Sequence, residues 1–326
     1  MRAIEIDRYG DPGVLLWREV PERAPAAHEV VIRTAYAAVN RADLEIRSGA
    51  WPIARDDPFP YTPGLEVAGE IEQVGANVTS LTAGTRAITM MQRLGGIWGE
   101  RRGGYGELVV VAADAVATIP ADVNLEQIAA LGLTAVTAGE GLRRLAPPEG
   151  ARVVVHGASG GVGAAAVMMA ADRGCEVIAV LPRAGKEDFV RELGATEVVR
   201  LDETSLLDAL GARSVDAVLE ISGERTFPDS AAVLRRGGRL CLVGALTGPH
   251  LELSAWDLIQ ELELTGWSSE NLDGDRLRSH VAEIAELVRG GRLGAPAITR
   301  YELADAASAH RAMERGELIG RALLVA

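Results

Sequence analysis

A chain of 326 residues with 48% hydrophobic content can bury a large core, and its length suggests two domains. Its formal net charge of -13 disfavours nucleic acid and anionic lipid, and no apolar run is long enough to span a bilayer. The opening residues MRAIEIDRYGDPG hold acidic groups and no apolar signal core, and neither Cys175 nor Cys241 belongs to a CxxC pair. A cytoplasmic protein is therefore expected, with no membrane or nucleic-acid partner and with both cysteines inert in the core.

Taken in chain order, residues 1–124 read as short strands, prolines and glycines with few long helical patterns, as at 29–33 (EVVIR) and 106–112 (GELVVVA). This predicts a mostly β domain. The alanine-rich stretch Leu125–Leu145 predicts a helix leading into a second domain over 125–268. A βα rhythm begins there. Strands are predicted near Val153, at 177–180, Glu197–Arg200, Val215–Glu220, 239–244 and 262–267, separated by helices, with a turn at Gly237 and Gly238. Such alternation gives a doubly wound parallel sheet covered on both faces. A helix over 275–290 leads out, and the closing strand, residues 320–325, has no partner in that sheet and is expected to return to the β domain, which thus spans 1–124 and 269–326.

The most specific motif is the segment 153–163, VVVHGASGGVG, followed by the small-residue run AAAVMMAADRG. A β-branched strand enters a glycine-rich turn that opens a helix, and a second strand, Glu176–Leu181, follows as a βαβ unit requires. The first amides of such a helix attract a pyrophosphate, which side chains would block. The frame is A-x-G-x-x-G, with Ala158 in the first position and Gly157 before it relaxing the turn. Gly160 permits the backbone to approach phosphate, and Gly163 permits close packing. Ala158, Ser159, Gly160, Gly161, Val162 and Gly163 are the expected dinucleotide contacts, with Gly244 and Arg321 further along the chain.

The tip of the second strand bears on the choice of cofactor. A carboxylate there would bond the ribose 2'-hydroxyl, whereas a 2'-phosphate needs cations. Residues 181–186 are LPRAGK, with no carboxylate and with Arg183 and Lys186, so NADPH is expected over NADH. The alternative is that both are solvated charges opening the next helix.

The order of motifs resembles the zinc-independent quinone oxidoreductase branch of the medium-chain dehydrogenase/reductase superfamily. The resemblance rests on residues 38–49 (AVNRADLEIRSG), 63–69 (PGLEVAG), 74–78 (VGANV), 103–107 (GGYGE), 133–138, the glycine fingerprint, and the closing Ala309, His310, Gly320 and Arg321. It implies a GroES-like β domain, a Rossmann domain, an active site in the cleft between them, and commonly a homodimer formed through the last Rossmann strands. Zinc-dependent relatives carry a cysteine where this chain has Asn40 and a histidine where it has Leu65, beside Glu66. Catalytic zinc normally needs three protein ligands, so no metal is expected, and Glu66 reads as a structural carboxylate.

Without a metal to polarise a carbonyl, acceptors that take hydride readily become the natural substrates. The small-molecule electrophile is expected to be a quinone or, alternatively, an enone, whose oxyanion or enolate needs only a hydrogen-bond donor and a solvent proton. Asn40 is the candidate donor, the alternative being an amide that orders its loop by bonding backbone, and Thr137 lies near the nicotinamide by family resemblance. Arg41 and Asp43 suit an ion pair that orients the loop and transfers no proton. Many relatives have a tyrosine where this chain has Trp51, and an indole cannot replace a phenol as acid. Trp51 instead offers an apolar wall, Tyr61 and Tyr105 are weaker candidates, and His156 reads as a buried, bonded histidine. The segment 90–102, with Arg93, Trp98, Arg101 and Arg102, is expected to border the substrate and to suit a planar anion. A non-catalytic NADPH-binding sensor on the same scaffold is the alternative outside enzymology.

Overall fold

A computed structural model describes residues 1–91, 94, 101–259 and 261–326. Trp98 and Arg93, expected near substrate, lie outside the described residues. The chain divides into two compact units. One holds Met1–Leu133, Glu270–Gly290 and Ala297–Ala326, and the other Thr134–Ser269 and Gly291–Pro296.

The first unit is a β structure whose main sheet has the strand order Ile298–Glu302, Arg321–Val325, Glu29–Ala38, Glu66–Val74, Arg86–Met90 and Ala117–Thr118, with Leu108–Ala112 also on Glu29–Ala38. The long strand Glu29–Ala38 forms because its β-branched residues face a core of Val30, Ile32, Val67, Ile71, Val109 and Val111. The closing strand does return to this unit. It runs antiparallel to Glu29–Ala38, with Leu323 opposite Ala38.

The second unit is a six-stranded, wholly parallel sheet in the order Glu197–Arg200, Glu176–Leu181, Arg152–Val155, Val215–Glu220, Leu234–Leu242 and Glu263–Gly266. Its apolar strands carry the core of Val154, Ile178, Val180, Val218 and Leu240. Each such residue contributes about 1.5 to 3 kcal/mol by leaving water. The turn expected at Gly237 and Gly238 lies inside the strand Leu234–Leu242, where Gly237 adopts φ 71° and the pairing with Val215–Glu220 shifts register. A glycine absorbs that irregularity without ending the strand.

The helix Leu125–Leu145 is not continuous, because Gly132 departs from helical geometry. Among the described residues no helix is long and apolar enough to cross a membrane.

Candidate active site

In the second unit the strand Arg152–Val155 delivers the chain into the glycine turn. Gly157 takes the left-handed conformation at φ 56°, which explains why alanine is tolerated at 158: the unusual backbone falls one residue earlier. Ala158 is buried, and its N–H donates to the Val180 carbonyl at 3.2 Å, tying the turn to the neighbouring strand. The helix Gly161–Asp172 starts from Gly160, which contributes no side-chain cap, and no acidic residue sits in its first turn. A Cβ on Gly163 would lie 2.2 Å from the Gly157 oxygen, so the helix can meet the turn only without one. These features fit a phosphate at the helix start. Ser159 is buried, Gly161 and Val162 are half-buried, and a Cβ on Gly244 would come within 2.6 Å of the Ile221 oxygen.

Arg183 is exposed and Lys186 half-buried at the entrance to the short helix Glu187–Glu192. Burial, and then the Arg183 charge, hold the Lys186 ammonium below its ordinary pKa. Two cations held this close favour an anion between them. Thr137 is buried in the second half of the helix Leu125–Leu145.

In the first unit, a buried polar centre forms around Asn40. The helix Arg41–Ser48 begins after it, and Asp43 Oδ2 accepts the Asn40 N–H at 2.8 Å in the manner of a capping carboxylate. The other oxygen, Oδ1, accepts the Leu65 N–H at 3.0 Å. Asp43 thus joins the Asn40 loop to the start of the strand Glu66–Val74. Arg41 pairs with Glu45 at 3.6 Å on the surface, so the Arg41 to Asp43 ion pair expected from sequence does not form; two positions apart, they leave the helix in different directions. Burial pushes the Asp43 carboxyl up to about 7, against the hydrogen bonds it accepts.

The Asn40 amide donates to the Ala38 carbonyl at 3.3 Å and to Glu66 Oε2 at 3.2 Å, while its oxygen accepts from Arg321 at 3.1 Å. Arg321, expected among the cofactor contacts, is buried in this unit. Its guanidinium serves the Ala130 and Val39 carbonyls, Asn40 and Glu66. Its planar fork matches those acceptors. Burial raises the Glu66 carboxyl above its ordinary range, with the Arg321 charge the chief opposing effect. The remaining Glu66 oxygen, Oε1, accepts the Leu133 N–H at 2.8 Å.

Beneath Asp43 lies a layer whose members, Tyr105 and His310, the sequence showed only as separate motif residues. Tyr105 and His310 are wholly buried, with the phenol 3.0 Å from His310 Nε2, and the buried Arg47 pairs with Glu314. Burial, and then Arg47, push the His310 imidazole down to about 3, so it is neutral. The GGYGE motif was the available signal. Gly103 and Gly104 are required because a Cβ on either would strike the Pro63 or Glu66 backbone, at 2.1 and 2.7 Å.

Trp51 is half-buried, with its N–H on the Glu45 carbonyl at 3.0 Å. Tyr61 is buried, exchanges two backbone hydrogen bonds with Ile6, and has its phenol raised by burial and by the Asp43 charge. Arg101 pairs with Glu29 at 2.5 Å, and the half-exposed Arg102 lies 3.8 Å from Glu5. Among the described residues no three His, Cys, Asp or Glu side chains converge as metal ligands do.

A β unit of this kind followed by a wholly parallel nucleotide-type sheet defines the medium-chain dehydrogenase/reductase class. Residues 26–121 match the alcohol dehydrogenase GroES-like domain, and residues 161–276 match the zinc-binding dehydrogenase family. The chain is 31% identical to the quinone oxidoreductase of Mus musculus over 325 residues, covering 97% of this chain and 95% of the mouse protein. The structure of Escherichia coli quinone oxidoreductase complexed with NADPH superposes with a TM-score of 0.90 at 27% identity, over 100% of both chains. A mycobacterial protein complexed with NADPH gives 0.86 at 30% identity, again over 100% of both. The chain belongs to the quinone oxidoreductase branch of the medium-chain dehydrogenase/reductase superfamily.

Proposed function

We propose that this protein is an NADPH-dependent reductase that passes a hydride to a quinone without a metal. The observation that carries the reading is the polar centre of the first unit, where an amide, Asn40, stands between Glu66 and Arg321. That set offers hydrogen bonds in place of the thiolate and imidazole ligands of a catalytic zinc. The glycine turn with Arg183 and Lys186 supports NADPH as cofactor, and the relatives solved with NADPH support it independently.

When bound, NADPH would supply the hydride, and the chain's own residues would manage the charge this creates. Both Asn40 donations are longer than the common N–H···O distance of about 2.9 to 3.0 Å. A developing oxyanion is a stronger acceptor than a neutral carbonyl, so the amide can turn from Ala38 toward it. Asp43 positions Asn40 by holding its N–H, Thr137 would help to hold the nicotinamide, and a solvent proton would complete the hydroquinone. Trp51 and Tyr61 supply flat surface for the ring.

We assign the protein to the cytoplasm as a homodimer. Both cysteines are free, which suits a reducing compartment. The edge strand Glu263–Gly266 is exposed at every position, and Trp256, Leu258 and Ile259 near it are 71%, 50% and 64% exposed. An apolar patch beside an open strand edge is what a second copy would cover.

The test is NADPH oxidation by purified, chelator-treated protein with a planar quinone and an α,β-unsaturated ketone in parallel. Faster turnover of the quinone supports the reading. Preference for the ketone moves it to an enone reductase, and saturable NADPH binding with no turnover moves it to a sensor.

A further inference from the structure

The parallel sheet reverses its winding between Arg152–Val155 and Val215–Glu220, and in such sheets ligands bind beyond the carboxyl ends of the strands at that point. Both strands there end in a buried ionisable side chain. His156 follows the first and Glu220 closes the second, each 0% exposed. His156 Nε2 lies 2.9 Å from Ser230 Oγ and 3.4 Å from Glu220 Oε2. Ser230, on the helix Phe227–Val233, donates its hydroxyl to that same Glu220 oxygen at 2.6 Å. With its proton committed, the Ser230 oxygen accepts, so the ring must carry hydrogen on Nε2.

The other Glu220 oxygen faces the loop. Oε1 accepts the N–H of Ser222 at 2.8 Å, that of Gly223 at 3.1 Å and the Thr226 hydroxyl at 2.9 Å. The Ser222 carbonyl in turn accepts the Thr247 N–H at 2.7 Å and its hydroxyl at 2.9 Å. Gly223, at φ 87°, packs so closely that a Cβ would lie 2.9 Å from Ala245 Cα and from the Gly248 oxygen. One hydrogen-bonded chain therefore joins the glycine turn after His156, the loop 221–226 and the loop 244–248, all at the carboxyl edge of the sheet.

Stability does not account for such a trio. Burying a carboxylate is costly, and well-packed apolar residues of the same volume often do as well or better. What a satisfied polar network adds is one fixed geometry. Burial holds the His156 imidazole below its ordinary pKa, with Glu220 opposing, so the ring serves as a neutral donor.

We infer that His156, Ser230 and Glu220 are positioning residues for the dinucleotide: they lock the glycine turn to the two neighbouring loops before the cofactor arrives, and thereby set its affinity. The inference rests on the NADPH reading above. It differs from a core role in what it moves.

Ser230→Ala removes the bridge and leaves both ionisable partners, and Glu220→Gln keeps the shape without the charge. Three quantities are read on the full-length protein: the NADPH Kd by fluorescence titration, kcat at saturating NADPH, and hydrogen exchange of the amides at 157–163 and 222–226. The expected result for Ser230→Ala is a Kd raised about tenfold, the scale of one hydrogen bond to a charged group. Its kcat should stay within about twofold, with faster exchange in both segments. An unchanged Kd beside a lowered Tm overturns the inference and leaves a structural core. If Glu220→Gln does not fold, Ser230→Ala decides alone. Absence of saturable NADPH binding by the wild type sinks the cofactor reading instead, and exchange confined to one segment in Ser230→Ala then overturns the coupling.

Discussion

Glu66 Oε1 accepts the Leu133 N–H at 2.8 Å where Gly132 breaks the helix Leu125–Leu145. A Cβ at position 132 would sit 1.5 Å from that oxygen, so the carboxylate enters the helix only because the residue has none. Gly132→Ala must therefore expel Glu66 from its place between Leu133, Asn40 and Arg321. The expected loss is about 3 to 5 kcal/mol, that of breaking a buried ion pair. Urea unfolding measures it, and a loss below about 1 kcal/mol would show that the centre relaxes freely.

Asn40 is predicted to act on turnover more than on binding. Asn40→Ala should lower kcat by about 100 to 1000-fold, as removal of an oxyanion donor does. NADPH affinity should be preserved. Steady-state kinetics with a quinone beside NADPH titration separate the two, and unchanged kcat would remove Asn40 from the chemistry.

Asp43 imposes a pH dependence on stability. Its carboxyl rises from 3.8 to about 7 on folding, so between those values the native state holds a proton that the unfolded chain has released. Stability is then fully present below the unfolded value and falls as pH rises through the folded one, with a slope of up to about 1.4 kcal/mol per pH unit. Asp43→Asn should flatten the curve between pH 5 and 7, at some cost in overall stability because an amide offers one acceptor oxygen where the carboxylate offered two. Parallel slopes in denaturation midpoints for both proteins would place the titration elsewhere.

Arg183 and Lys186 are predicted to select the 2'-phosphate. Arg183→Ala with Lys186→Ala should raise the NADPH Kd by about 10 to 100-fold, the range for losing charged hydrogen bonds. The NADH Kd should stay put. Equal weakening of both cofactors would mean that the pair reads something other than the 2' position.

The oligomer should depend on the exposed edge of the six-stranded sheet. Trp256→Glu combined with Leu264→Arg places charge on the patch and strand expected at the seam. Light scattering should move from twice the chain mass to the 34.4 kDa of one chain. A wild-type mass of one chain would refute the dimer directly.

The features legible in the chain alone were local in origin. The βα rhythm from Val153 onward is carried by alternating apolar runs and glycine breaks, and the parallel sheet follows from it. The glycine turn was legible because Gly157, Gly160 and Gly163 act within a span of seven residues. Tertiary structure decided the polar centre. Asn40, Glu66, Tyr105, His310 and Arg321 are scattered along the chain and meet because the strand Arg321–Val325 pairs with Glu29–Ala38 and the helix is broken at Gly132. That break could not be read from an alanine-rich stretch, since its cause is a carboxylate supplied by a distant strand. Arg321 shows the same limit from the other side. Its charge was visible in the sequence, but whether it met a cofactor or filled a buried site depended on which backbone carbonyls the fold brought to it.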